Sequence, residues 1–269
     1  MDDAIQLPKD AFAREGHWTR EQLKLAFHFY CQTPFGKLDA RNKDVINLAN
    51  LIGRTPSALA MKLVNLASLD PAILASGRAG LSNTSKLDRE IWNEFHADWE
   101  RLAVECENIR NFLIRSHEAV DTLEVNEIDV DFTGETRPVI VQQRIKQNFF
   151  RRAVLSSYRS RCCISGVSET KLLIASHIVP WRSDTKNRLN PKNGLCLSVI
   201  HDRAFDVGLF TLSGDMTVLL SNTLRSTKDD FLKKVFCEIE GRGIEMPDRF
   251  LPDIEFIEHH RNVLFLDSK

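Results

Sequence analysis

Residues 162–212 read CCISGVSETKLLIASHIVPWRSDTKNRLNPKNGLCLSVIHDRAFDVGLFTL, and this stretch decides how the rest of the chain is read. The apolar run Leu172-Leu173-Ile174-Ala175 leads into His177 and predicts one strand of a short hairpin. Pro191-Lys192-Asn193-Gly194 is a turn signal. Leu197, Ile200, Ala204 and Phe205 share one helical face, so 197–205 predicts a helix carrying His201. Strand, turn and helix thus present one polar group each: His177, Asn193 and His201. A hairpin followed directly by a helix is compact enough to bring the three together.

The pattern extends beyond three polar residues. Cys163–Gly166 gives C-x-x-G, and Ser176-His177-Ile178-Val179-Pro180 follows A-H-I-x-P with Ser in the first place. Asn193-Gly194-Leu195-Cys196-Leu197 gives N-G-L-x-L, and His201 to Gly208, through Phe205 and Asp206, gives H-x-x-x-F-D-x-G. In these features the segment resembles the HNH (ββα-metal) endonuclease motif, in its restriction-type subgroup. The resemblance implies hydrolysis of DNA phosphodiesters with Mg²⁺ or Mn²⁺. It implies His177 as general base, Asn193 as the residue that holds the loop and orients that base, and His201 as metal ligand on the helix. Many members place Asp or His immediately before the base as a second ligand. Here that position is Ser176, which with Asp206 completes the candidate metal set, and Asp184 stands behind them.

The chemistry suits these residue types. Phosphodiester hydrolysis needs a deprotonated water, stabilised charge at phosphorus and a neutralised leaving oxygen. A neutral imidazole supplies the first near pH 7. A divalent cation supplies the other two as a Lewis acid, and Mg²⁺ accepts few protein ligands because it keeps several waters. Arg182, Lys186, Arg188 and Lys192, between the base and Asn193, are placed to hold the scissile phosphate.

The 269 residues suffice for one large or two modest domains, and 43% hydrophobic with 27% charged residues is ordinary for a globular protein. The net charge of -1 carries no global basic signature for nucleic acid, so any DNA-binding charge must be segregated. It is. Residues 117–135 hold Glu118, Asp121, Glu124, Glu127, Asp129, Asp131 and Glu135 with no Lys or Arg, and read as an interdomain linker. Residues 136–168 hold Arg137, Arg144, Lys146, Arg151, Arg152, Arg159 and Arg161 with no acid. Ile145, Phe149, Val154 and Leu155 make this second stretch an amphipathic helix, whose cations either neutralise phosphates or form a solvated face paired with the linker. Cys31, Cys106, Cys162, Cys163, Cys196 and Cys237 form no C-x-x-C pair, so structural zinc is not expected and the thiols read as buried small hydrophobes in a reducing cytoplasm. No apolar run resembles a signal peptide or a membrane span.

Residues 1–17 read as a polar arm. Thr19 with Gln22 starts a helix whose face is Leu23, Ala26, Phe27 and Tyr30, and Thr33-Pro34 ends it. In 42–69 two apolar stripes flank Gly53-Arg54, and Thr55-Pro56 is a helix start. This is either a helix-turn-helix or two packed helices of an all-α domain. In the first case Ser57, Ala58, Met61, Lys62 and Asn65 lie on the outer face, where Ser57, Lys62 and Asn65 would contact DNA. Residues 71–87 read as a loop, with Arg78 and Lys86 as further DNA contacts. Asp88 then caps a long helix carrying Trp92 and Trp99 in its core face. A hairpin follows at 209–220, then helices over 228–239 and 252–266 in which His259 and His260 read as surface residues.

The expected class is α+β: an N-terminal mostly helical domain (1–116) for DNA recognition, the linker (117–137) and a ββα-metal nuclease domain (138–269). The expected partner is double-stranded DNA, with no membrane. Cutting both strands requires a homodimer or two successive nicks. The expected function is a restriction or defence endonuclease, acting on modified or unmodified DNA. The alternative is a DNA-binding regulator or toxin-like effector with a silent HNH fold.

Overall fold

The computed structural model describes residues 16–78, 83–121 and 137–267, and for 117–121 and 137–141 the backbone alone. The polar arm lies almost wholly outside the described residues. Of the acidic linker, 117–121 is the end of a helix and 122–136 lie outside them. The chain divides into two compact units, Met1–Phe149 and Phe150–Lys269.

The first unit is helical: α1 (Arg20–Gln32), α2 (Lys43–Leu51), α3 (Pro56–Ala67), α4 (Pro71–Ala75), α5 (Lys86–Ala97), α6 (Trp99–Asp121) and the first part of α7 (Arg137–Ser157). The starts follow from local chemistry. Thr19 and Gln22 form a reciprocal capping box on α1, and Thr55 caps α3 with Pro56 at its first position. The expected long helix is two helices. It starts one turn early because Ser85, not Asp88, is the cap, and it breaks at Asp98, whose backbone is non-helical (φ -152°, ψ 81°). The core is aromatic. Phe27 of α1 meets Phe95 edge-on at 4.5 Å and Trp92 at 5.1 Å between ring centroids, and Tyr30 donates to Asp70 at 3.0 Å. Asp88 is not the N-cap but the N3 partner of Ser85 in its capping box, and it also ties α5 to α3. Its fully buried carboxylate accepts from Lys62 Nζ through both oxygens at 3.0 Å and from the Ser85 N–H at 2.8 Å.

The second unit holds the quoted stretch. β1 (Leu173–His177) and β2 (Gly194–Ser198) pair antiparallel, with His177 opposite Gly194 and Leu173 opposite Ser198. α8 (Val199–Asp206) follows β2 at once, so Leu197 belongs to the strand rather than to the helix expected there. β3 (Phe210–Leu212) and β4 (Val218–Leu220) form a second antiparallel pair, followed by α9 (Asn222–Arg225), α10 (Asp230–Phe236) and α11 (Ile254–Val263). Gly208 turns the chain out of α8 at φ +72°, and a Cβ there would lie 2.0 Å from the Leu264 carbonyl oxygen. His260 is a core residue, contrary to the surface reading. Its ring stacks on Phe205 at 3.6 Å, Nε2–H donates to the Phe205 carbonyl, and Nδ1 bonds Thr211 Oγ1. Burial holds its pKa down to about 4. No helix among the described residues is long and apolar enough to cross a membrane.

Candidate active site

His177 ends β1, where the hairpin opens into the loop 178–190. Its Nε2 lies 2.9 Å from the Arg188 carbonyl oxygen. A carbonyl only accepts, so Nε2 carries the proton and Nδ1 keeps its lone pair. Among the described residues Nδ1 makes no hydrogen bond. Burial lowers the imidazole pKa, against the Arg188 carbonyl, which raises it. The ring is therefore neutral near pH 7 with one basic nitrogen open. Phe150 stacks against its face at 3.9 Å between centroids and 10° between planes, and Trp181 meets it edge-on at 5.4 Å.

Asn193 is 1% exposed, and its amide grips the loop on the far side of the base. Oδ1 accepts from the Val179 N–H at 2.8 Å, while Nδ2 donates to the carbonyls of Val179 at 3.1 Å and Asn187 at 3.3 Å. Every polar atom of the side chain is thus committed to backbone. The loop carries its own supports: Asp184 accepts from Lys186 N, Asn187 N and Asn187 Nδ2, and Arg188 Nε donates to the Trp181 carbonyl at 2.9 Å. Burial pushes the Asp184 carboxyl up, but these bonds together outweigh it, lower its pKa and leave the carboxylate occupied. Arg188 lies over the Trp181 ring, 5.4 Å from its centroid, while Arg182 and Lys186 point to solvent and Lys192 is half-buried.

This hairpin, loop and helix lie within residues 162–213, which match a known family. It is the HNH endonuclease family. No curated protein matches the chain at a significant level. The HNH match begins after α7, so Phe150 and the cations of that helix lie outside it.

Within the HNH segment α8 carries His201 on its buried face. His201 is 3% exposed and turned into the core. Its Nδ1 bonds Ser198 Oγ at 2.7 Å, its ring meets Phe236 at 5.4 Å, and Nε2 is buried without a hydrogen bond among the described residues. The cause is helical phase. His201 shares the apolar face with Ala204 and Phe205, and a residue one further on lies about 100° around the helix. That residue is Asp202, which sequence reasoning passed over. Its carboxyl is raised by burial, against the Ser176 hydroxyl beside it and Arg203, which lower it. Asp206, one turn on, is raised by burial and by the Asp202 charge. Ser176, Asp202 and Asp206 are hard oxygen donors, the kind that suits Mg²⁺ or Mn²⁺. No group of three His, Cys, Asp or Glu side chains is close enough to hold a metal among the described residues. A cation held by these oxygens would be completed by water and phosphate oxygens, not by an all-protein cage.

The other expected contacts separate into two kinds. Arg144 and Arg152 are exposed on α7. Arg151 is tied to the hairpin, donating to the carbonyls of Leu173 at 2.8 Å and Thr170 at 3.2 Å. In α3 Ser57 is exposed, but Lys62 and Asn65 are buried at 7% and 9% exposure. Lys62 does not face outward as expected: its ammonium is held by Asp88 and lies over the Trp18 ring. Helices α2 and α3 still form a tight-turn pair, and a hollow of about 430 Å³ beside the turn is lined by Asn50, Gly53, Arg54, Thr55 and Ala58.

Proposed function

We propose that this chain is a divalent-metal-dependent DNA endonuclease in which His177 deprotonates the attacking water through Nδ1. The observation that carries this reading is the fixed tautomer: the Arg188 carbonyl takes the Nε2–H, and burial keeps the ring neutral. Asn193 acts on the base indirectly, by closing the loop that supplies that carbonyl. Arg188, stacked on Trp181, and the exposed Arg182 and Lys186 hold the phosphate next to His177. Asp202 and Asp206, with Ser176, hold the cation in place of His201. When bound, the cation supplies Lewis-acid stabilisation of the phosphoryl charge and of the leaving oxygen. Arg144 and Arg152 add phosphate contacts on α7 and make binding salt-sensitive. The α2–α3 pair, with Ser57 outward, supplies target recognition, and the biological role is restriction of invading DNA.

Plasmid nicking in Mg²⁺ or Mn²⁺ against an EDTA control tests the activity. His177→Ala abolishes nicking while DNA binding survives, and an active His177→Ala protein would overturn the assignment of the base. Asp202→Asn weakens Mn²⁺ binding measured by calorimetry without DNA, whereas His201→Gln changes stability more than metal affinity. The reverse pattern would return the metal to His201. Side-by-side cleavage of unmodified, cytosine-methylated and hydroxymethylated DNA identifies the target.

A further inference from the structure

From the packing around His177 we infer that Phe150 is a positioning residue for the base, and that Gly194 is glycine in order to admit it. This rests on the reading of His177 as the base. Phe150 is 2% exposed on α7, outside the HNH segment, and its ring lies parallel to the imidazole at 3.9 Å. His177 pairs across the hairpin with Gly194. The backbone at Gly194 is ordinary extended chain (φ -132°, ψ 140°), which any residue adopts, so conformation does not require glycine there. Space does. A Cβ would lie 2.4 Å from Val154 Cγ2 and 3.0 Å from Phe150 Cζ. Phe150 and Val154 are four residues apart and share one face of α7. That face fills the gap left by the missing side chain, and the fit slides the Phe150 ring under the imidazole.

The base is then enclosed on three sides. Phe150 closes one face, Trp181 an edge, and the Arg188 carbonyl takes Nε2–H. A ring held in this way cannot swing about its Cβ–Cγ bond without leaving the stack, so Nδ1 keeps one direction. Positioning of this kind acts on turnover and leaves DNA binding alone.

The test uses the full chain. Leucine at 150 keeps the apolar packing and removes the stacked ring. In wild-type protein the carbon-bound ring protons of His177, assigned by their loss in His177→Gln, resonate upfield because the Phe150 ring shields them. In Phe150→Leu they move downfield, kcat falls about tenfold, and KM and the DNA affinity in EDTA stay within about twofold, in line with the modest worth of one aromatic pair. Gly194→Ala, which pushes the same ring from the other side, gives the same two changes and serves if Phe150→Leu does not fold. Unshielded His177 protons in the wild type would overturn the proposal without any substitution. So would a lost shift at full kcat, or a raised KM at unchanged kcat. Full activity in His177→Ala would sink the assignment of the base, whereas an inactive His177→Ala beside a fully active Phe150→Leu would sink only the role of Phe150.

Discussion

Asn193→Ala separates support from chemistry at the residue between the two histidines. The Asn193 amide makes three hydrogen bonds, all to backbone: from Val179 N–H, and to the carbonyls of Val179 and Asn187. Each is worth about 1 kcal/mol net, and a buried backbone group left unpaired costs about 1–3 kcal/mol. Alanine removes all three bonds and strands both Val179 groups, so the loss is about 3–4 kcal/mol. Chemical denaturation measures it globally. Exchange of the Val179 amide measures it locally, since among the described residues that hydrogen is held by Asn193 alone. Asn193→Asp sharpens the result. It replaces the Nδ2 donor with an oxygen facing the Val179 and Asn187 carbonyls, so at pH 7 it destabilises at least as much as alanine. That carboxyl has a raised folded pKa, because only its protonated form donates to the Val179 carbonyl. Part of the loss is therefore regained as pH falls through that pKa. Activity declines in both variants because the loop that orients His177 loosens. An Asn193→Ala protein with wild-type stability and Val179 exchange but no activity would refute this reasoning, and would place the amide on the metal or the substrate.

Three further outcomes follow from the packing. Lys62→Met leaves the fully buried Asp88 carboxylate without its cation and costs about 3–5 kcal/mol in denaturant titration, and Lys62→Met with Asp88→Asn recovers part of it; a single-variant loss under about 1 kcal/mol would contradict the buried pair. His260, held at about 4 from an ordinary 6.5, is neutral in the fold, so its contribution is present above pH 6.5 and lost as pH falls from 6.5 to 4; the difference between wild type and His260→Gln shrinks by about 3 kcal/mol across that window, and a pH-independent difference would refute the buried neutral ring. Gly208→Ala forces a side chain into the left-handed region and a Cβ onto the Leu264 carbonyl, and loses at least about 2 kcal/mol; wild-type stability in thermal melts would show that α11 does not pack there.

What the sequence revealed was what short-range chemistry controls. Thr19 with Gln22 and Thr55 with Pro56 start helices through bonds that span three residues, so both starts were visible. The hairpin was legible because its apolar strand residues and the turn Pro191–Asn193 that leads into β2 are also local. For His201 the burial was readable from phase: Ala204 and Phe205, three and four residues on, are core, and so is His201, while Asp202 and Asp206 share another face. His260 carried a similar signal, three residues after the buried Ile257. Phe150 against His177 and Lys62 against Asp88 left no such trace, because each pair joins elements 26 or more residues apart and depends on how helices dock. Gly194 looked like a turn glycine and is a packing one.

The loop between β1 and β2 is fastened at its ends, with the Asn193 amide on Val179 and Asn187 and the Arg188 guanidinium on Trp181. Within the Arg182–Lys186 stretch between those fastenings, Asp184 is tied to Lys186 and Asn187, while the side chains of Arg182, Ser183, Thr185 and Lys186 are exposed. Those exposed side chains can change over generations, or be exchanged by an engineer, while the imidazole stays where it is. A module built in this way can acquire a new taste in DNA without relearning how to cut it.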